Sequence, residues 1–462
     1  MDRSRYIFGN PISKAIVGKA ERKKTAYIKK YGDDTTKEFR LVSRPVSSLD
    51  MLGIEQLLVQ DASKSVETGW QPSTLAEDPK ALVVGNIRMG FGHYRISIAI
   101  ASAAKAMGKH PYWFDLHSFQ DTTGGKIIAE LNKLYSLGSR LSQKYAVFNT
   151  LYWEPLNSEG FRQLSYNAMD QKVAELMATP CRLLPTSVPY VATHVWPAQA
   201  AIHAGMQQVV NVIPDNWPMA LHLSEGALHC VQSPSAWFGY KTLRGMAGKE
   251  VPRFMDPDSL QYTGHYIDHE LVANLEQDTT ARMERLQKLK PLRVLLSVGG
   301  AGAQRELYGR LIRALLPFEK RGKVVILINV GDHRSVLDGL LQDIPELRSA
   351  HQHIDHWEET KEVAQAALHD SISGIHLFMH TNIFEAVYTT NLLMRGSDLL
   401  VTKPSELAFY PVPKLLVHRV GGHEAWGAIR AAEIGDGTFE CSDPREAEAM
   451  LTFLLENTEG LS

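Results

Sequence analysis

Short aliphatic runs alternate with longer helical patterns along most of this chain. Residues 81–87 read as a strand, followed by a glycine-rich turn and an Ala-rich helix over 96–107. Residues 112–116 continue as a strand and 125–178 as helix, with short strand candidates at 182–184, 190–194, 208–213 and 229–232. The pattern then repeats. A polar helix over 272–290 stops at Pro291, a strand at 293–297 enters a second glycine turn, and a helix covers 305–316. Further strands fall at 324–330, 374–379, 399–402 and 414–417. Strands alternating with helices predict parallel sheets covered on both faces.

The fold class expected is therefore α/β, in two halves that meet near 270–290. Residues 1–45 are basic and poor in aliphatic runs, which predicts a solvated extension, with an arm for anionic lipid or a partner as the alternative. Residues 51–59 read as a short amphipathic helix, and 70–79 as a Pro-containing linker. The expected organisation is an N-terminal extension over 1–80, one α/β domain over 81–270, a second over 291–440, and a C-terminal helix over 441–462.

Composition narrows the function classes. A 44% hydrophobic and 22% charged chain of 462 residues is an ordinary globular mixture, not a disordered or fibrous one. With 49 basic against 51 acidic residues, sequence-independent nucleic-acid binding is not expected. Cys181, Cys230 and Cys441 are too scattered for a disulfide framework or a CxxC zinc site, so a reducing cytoplasm is expected. No apolar run approaches the ~20 residues that cross a bilayer, which leaves peripheral contact at the cytoplasmic face open.

Each half opens with a strand, a glycine turn and a helix, and such a turn is a ready anion site. Glycines allow close backbone approach, and the first-turn N–H groups have no helical partner. The first turn holds Gly90, Phe91, Gly92 and His93; the second holds Gly299, Gly300, Ala301, Gly302 and Ala303. Neither spells GxGxxG with an acidic residue at the next strand end, which argues against a dinucleotide cofactor. The helix-start position of His93 favours the neutral imidazole that a general base requires, and suits a phosphate donor equally.

These segments, with others in the same order, resemble the GT-B glycosyltransferases that make monogalactosyldiacylglycerol or add N-acetylglucosamine to a peptidoglycan lipid carrier. Residues 85–107 resemble the family's opening loop and helix. Thr193-His194-Val195-Trp196-Pro197-Ala198 is similar to its THPFPA strand end, and Pro214-Asp215-Asn216-Trp217-Pro218, with His222 beyond, to its TDFG..H segment. In the second half, 295–303 resembles LLLGGSxGA, 397–404 resembles ADLLITKPGG, and 405–408 resembles SEALA. Residues 351–373 look inserted, with the histidines at 351, 353 and 356 read as a polar loop.

The resemblance implies two Rossmann-like domains facing a cleft. It implies an inverting, metal-independent transfer of a sugar from a nucleotide diphosphate donor, of the uridine type, to a hydroxyl acceptor. That acceptor is lipid-linked in the related enzymes, which use the region matching the aromatic and basic stretch 126–165. No cofactor and no metal are implied. The donor would lie against Gly299, Gly300, Ala301, Gly302, Ala303, Met379, Ser405, Glu406, His423 and Glu424, with Glu406 accepting the ribose hydroxyls. The acceptor would lie against Gly90, Gly92, His194 and Trp217. His93 is the first candidate for the base; Asp215, after a strand at the sheet's carboxyl edge, is the second. The chain lacks the family's glycine pair between Pro404 and Ser405 and carries Gly421, Gly422, His423 and Glu424 in place of an Asp/Gln-rich loop. Those departures keep two alternatives: a non-hydrolysing sugar-nucleotide epimerase, and a binding protein that has lost the chemistry.

Overall fold

Parallel pairing dominates the computed structural model, which describes residues 2–298, 304–419 and 421–461. The chain forms two units, one of Met1–Met89 with Ile96–Tyr266, the other of Gly90–Arg95 with Ile267–Ser462. Each is α/β and built on its own largely or wholly parallel sheet.

The first unit begins with a short antiparallel pair, β1 (Tyr6–Ile7) and β2 (Asn10–Pro11). Its sheet takes β3 (Phe39–Pro45), β4 (Glu55–Asp61), β5 (Gln71–Pro72), β6 (Ala81–Asn86), β7 (His110–Asp115), β8 (Tyr190–Ala192), β9 (Val209–Val212), β10 (Leu228–Val231) and β11 (Leu260–Tyr262). Their order is β11-β10-β9-β8-β6-β7-β4-β3-β5, and only β3 and β5 run antiparallel to their neighbours. Residues 2–80 are thus an integral part of this unit. Residues 51–59 are not a helix: a 3-10 turn over Ser47–Leu52 ends at left-handed Gly53, and a strand follows. Leu57 and Val59 are buried while Leu58 between them is half-exposed, a period of two that a strand alone satisfies.

The basic N-terminal stretch is a helix, Lys14–Tyr31, some of whose charges have partners. Lys24 meets Glu175 at 2.6 Å, Lys30 meets Glu130 at 2.6 Å, and the Tyr31 hydroxyl donates to Glu130 at 2.7 Å. Charge that reads as a solvated arm is in part the means by which this helix lies on its own unit.

The second unit's sheet takes β12 (Leu292–Ser297), β13 (Val324–Asn329), β14 (His351–Ile354), β15 (Ile375–Met379), β16 (Leu399–Thr402) and β17 (Lys414–Leu416), in the order β14-β15-β13-β12-β16-β17, every pair parallel. Val294 and Leu296 enter one core layer and Leu295 the other, so β12 is buried on both faces. Asp398, fully buried just before β16, accepts from Arg285 Nη2 at 2.7 Å and from the Arg293 backbone N–H at 2.9 Å, which ties the start of β16 to β12.

The histidine-rich segment is a strand and not a polar loop. β14 is the edge strand, and its register sets His353 beside Phe378 of β15. The His353 ring stacks on Phe378 at 4.8 Å, and its Nε2 lies 3.1 Å from Nδ1 of His376. Burial, with the neighbouring His353 and His351, holds His376 down to about 4. A histidine depressed from 6.5 leaves the unfolded chain binding more protons between those values. Its contribution to stability is therefore complete above about 6.5 and is lost as pH falls toward about 4. Unfolding in urea at pH 7 and pH 4.5 should show a loss on the order of 3 kcal/mol from this ring, and His376→Gln should make the loss smaller. An identical pH dependence in both proteins would remove the stack as its cause.

Candidate functional site

A parallel sheet sends every loop from its carboxyl edge to one face or the other, and a crevice opens where two neighbouring loops part. In the second unit, the chain leaves β12 for β13 on one side, and later leaves β15 to enter β16 on the other. The crevice therefore lies at the carboxyl ends of β12 and β16. Val298 is the last described residue after β12; Gly299, Gly300, Ala301, Gly302 and Ala303 fall outside the described residues. After β16 come Lys403, Pro404, Ser405 and Glu406. Ser405 precedes a 3-10 turn, Glu406–Phe409, whose Leu407, Ala408 and Phe409 are buried and anchor the loop.

Two ion pairs stand here. Lys403 Nζ contacts the Glu424 carboxylate, which also accepts from the Gly421 backbone N–H at 3.4 Å. Glu406 Oε1 accepts from Arg95 Nε at 3.0 Å. Arg95, on the segment Gly90–Arg95 that belongs to this unit, is 2% exposed and also donates from Nη1 to the Val387 carbonyl and to Asn391. Burial pushes the Glu406 carboxyl up, but the charges of Arg95 and Lys403 and hydrogen bonds from Arg95 and its own backbone bring it below the ordinary glutamate range. Glu406 is thus an ionised, held carboxylate. A Cβ on Gly92 would come within 3.1 Å of Glu406 Oε2, so glycine is what lets the segment pass that carboxylate. Gly90 takes the left-handed backbone, φ +81°, and His93 is half-buried in the first turn of the helix Gly92–Ala106.

Met379 ends β15 with its side chain in the hydrophobic core, 2% exposed. Its carbonyl accepts from the Asp355 backbone N–H; His380 after it is still buried, and the chain reaches the surface at Thr381. The side chain of His423 lies outside the described ones.

In the first unit the corresponding crevice lies between β6 and β8, because β7 and β8 flank β6 on opposite sides. Gly85 of β6 makes room for the buried Tyr190 ring of β8: a Cβ there would stand 2.1 Å from its hydroxyl. Beyond β8, His194 caps the helix Val195–His203, its Nδ1 accepting from the Trp196 N–H at 3.2 Å. Trp217 lies under the Arg162 guanidinium at 5.0 Å.

Asp215, after β9, has a chain of side chains behind it. Its Oδ2 lies 3.2 Å from His222 Nε2, and His222 Nδ1 lies 2.6 Å from the Tyr240 hydroxyl. His222 sits in a 3-10 turn, Ala220–His222, held by three buried amides. Asn167 donates to the carbonyls of Ala220 and Leu223 at 2.8 Å, Gln199 to Leu223 at 3.0 Å, and Asn211 to His222 at 2.7 Å. Tyr240 arrives on the helix Pro234–Lys241, where Gly239 packs on Pro218 so closely that a Cβ would be 2.1 Å from Pro218 Cγ. Sequence reasoning singled out Asp215 but missed Tyr240, Arg95 and the pairing of Lys403. Arg95 had a signal, an arginine at the start of an otherwise apolar helix; Tyr240 had none, since its partner lies 18 residues away.

The stretch 126–165 presents Leu134, Leu137, Tyr145, Val147, Leu151 and Tyr152 to solvent, while Trp153 packs under Gly138. No helix among the described residues is long and apolar enough to cross a membrane. Nor do three or more His, Cys, Asp or Glu side chains among them form a metal-binding group.

Two family models match the chain, each described as a domain of unknown function: DUF6937 over residues 6–242 and DUF6938 over residues 255–462. No curated protein matches it. Among solved structures, a UDP-GlcNAc 2-epimerase from Neisseria meningitidis, bound to UDP-GlcNAc, is similar at 12% identity. That match covers 82% of this chain and 93% of the other, with a TM-score of 0.43.

Removing Arg95 takes from a buried carboxylate the cation hydrogen-bonded to it and leaves only the charge of Lys403, which costs about 3–5 kcal/mol. Arg95→Ala should lower the unfolding free energy by that amount at pH 7. The deficit should shrink at pH 4.5, because the unpaired Glu406 can then take a proton. A pH-independent deficit would show that lost packing, and not charge, is responsible.

Proposed function

The chain belongs to the DUF6937 family, and we propose that it is a nucleotide-sugar-processing enzyme that transfers the sugar to a hydroxyl acceptor. One observation carries this reading. The crevice between β12 and β16 gathers the cations Lys403 and Arg95, paired with the carboxylates Glu424 and Glu406, at the place where α/β sheets take nucleotide ligands. The ordered sequence likeness to GT-B glycosyltransferases supports the same assignment.

In this reading Lys403 turns from Glu424 to the donor's diphosphate, and Glu406 accepts the ribose hydroxyls through Oε2 while Arg95 keeps Oε1. A base, His93 or Asp215, takes the acceptor's hydroxyl proton. The acceptor oxygen forms a bond to the anomeric carbon on the face opposite the diphosphate. The bond from that carbon to the diphosphate oxygen breaks, its electron pair leaves with the phosphate, and the configuration inverts. Lys403 and backbone N–H groups stabilise the departing charge, so no divalent ion is called for. The exposed Leu134, Leu137, Leu151, Tyr145 and Tyr152 support a lipid-linked acceptor.

Calorimetry with uridine diphosphate tests the donor site. Glu406→Gln should weaken binding by about 1–3 kcal/mol, the value of hydrogen bonds to a charged group; unchanged affinity would take Glu406 out of the site. Turnover should survive EDTA, and activity lost there and restored by magnesium or manganese would overturn the metal-free step. An altered sugar nucleotide formed without any acceptor would identify an epimerase instead.

A further inference from the structure

We infer that Asn391 and Asp268 are positioning residues that fix the Arg95 guanidinium, and through it the Glu406 carboxylate, for the ribose of a nucleotide; this rests on the nucleotide-sugar reading above. All four groups belong to the second unit. They form one line of alternating acceptors and donors. Asp268 Oδ2 accepts from Asn391 Nδ2 at 2.9 Å, Asn391 Oδ1 accepts from Arg95 Nη1 at 2.9 Å, and Arg95 Nε donates to Glu406 Oε1 at 3.0 Å.

Asn391 stands on the helix Ile383–Arg395. Its amide fits only one way round. Turned over, it would set an oxygen against the Asp268 carboxylate and an NH₂ against the guanidinium, two buried repulsions. Asp268 is held just as firmly. Its Oδ1 accepts the Glu270 backbone N–H at 3.1 Å, as the cap of the short helix His269–Ala273. Tyr388 hydrogen-bonds to it as well, its hydroxyl kept protonated by burial and by the charges of Asp268 and Glu270. The Val387 carbonyl, one turn before Asn391, also accepts from Arg95 Nη1, at 3.1 Å.

Arg95 needs such a tie. It ends the short segment Gly90–Arg95, which adds no strand to this unit's sheet. Phe91 and Tyr94 seat that segment through ring contacts with His333 and Phe384. Those contacts set where the segment lies, but they give a guanidinium no direction; hydrogen bonds do. Asn391 is 2% exposed and Asp268 is fully buried, so neither reaches a ligand and both act through Arg95. With Oε1 taken by Arg95, the plane of the Glu406 carboxylate is set before a ribose arrives, and ordering it costs the bound state nothing further.

Calorimetry on the full chain with uridine diphosphate and with its 2′,3′-dideoxy analogue separates recognition of the ribose hydroxyls from that of base and diphosphate. The wild type should prefer uridine diphosphate by about tenfold to hundredfold, the value of hydrogen bonds to a charged group. Asn391→Leu, which keeps the size and removes both hydrogen bonds, should bring that preference close to one, with little change in Kd for the dideoxy compound. Asn391→Asp combined with Asp268→Asn exchanges acid and amide along the same line and should recover most of the preference. An undiminished preference in Asn391→Leu, an equal loss for both compounds, or no recovery in the exchanged pair overturns the proposal. Nitrogen-15 spectra of arginine-labelled protein read the tie without any ligand. The Arg95 Nε–H should exchange with solvent at least about tenfold faster in Asn391→Leu than in the wild type, because a buried partner that held it is gone. An unchanged rate overturns the positioning role. A wild type that binds both compounds equally, or neither, overturns the ribose reading of Glu406 instead, and the exchange rates then decide on their own whether Asn391 holds Arg95.

Discussion

A strand in a parallel sheet cannot turn straight back into its neighbour. It must leave at its carboxyl end, cross a face of the sheet and return, so every functional loop gathers on one edge. Both units obey this constraint, and both reverse the side of crossing about their opening strand, β6 in one and β12 in the other. The rest follows from those two reversals. The glycine turn at 90–92 follows β6 because the gap is there, and Lys403 and Glu406 matter because β16 is the strand across the second unit's gap from β12. Asp215 stands one strand further along the edge of the first unit.

The gap by itself holds nothing. It becomes chemically specific through groups whose charge is fixed before any ligand arrives. Glu406 would carry a proton more readily if burial alone decided; Arg95 and Lys403 decide otherwise. Asp215 is met differently, by His222, which is backed by Tyr240 and sits in a turn fastened by amides from three separate elements.

The alternation of strand and helix, the division into halves and the first glycine turn were legible because each is written within about thirty residues of sequence. Strands of the second unit lie close to where the periodicity puts them, since fully buried runs such as Leu292–Ser297 admit little else. Residues 51–59 misled because Met51, Leu52, Ile54 and Leu57 mimic helical spacing, and only sheet pairing with β3 reveals the strand. Lys24 and Lys30 read as solvated because Glu175 and Glu130, their partners, are a hundred or more residues distant. His351 and His353 looked like loop for a related reason: stacking on His376 and Phe378 is what makes two histidines acceptable in a strand. Asp215 was visible as a carboxylate at a strand end, but nothing local announces the tyrosine that orients its histidine.

The far side of the first sheet has one more consequence. Beyond β4 the sheet stops being parallel and ends at β5, two residues long, of which Pro72 has no N–H to offer, while Arg44 lies over the neighbouring Trp70 ring at 4.4 Å. An open sheet border is a template on which a stray strand can grow, and this one presents almost nothing to copy. The antiparallel strands appended before the first βαβ repeat thus act as a selvage: they finish the fabric so that the parallel sheet does not propagate from one molecule into the next.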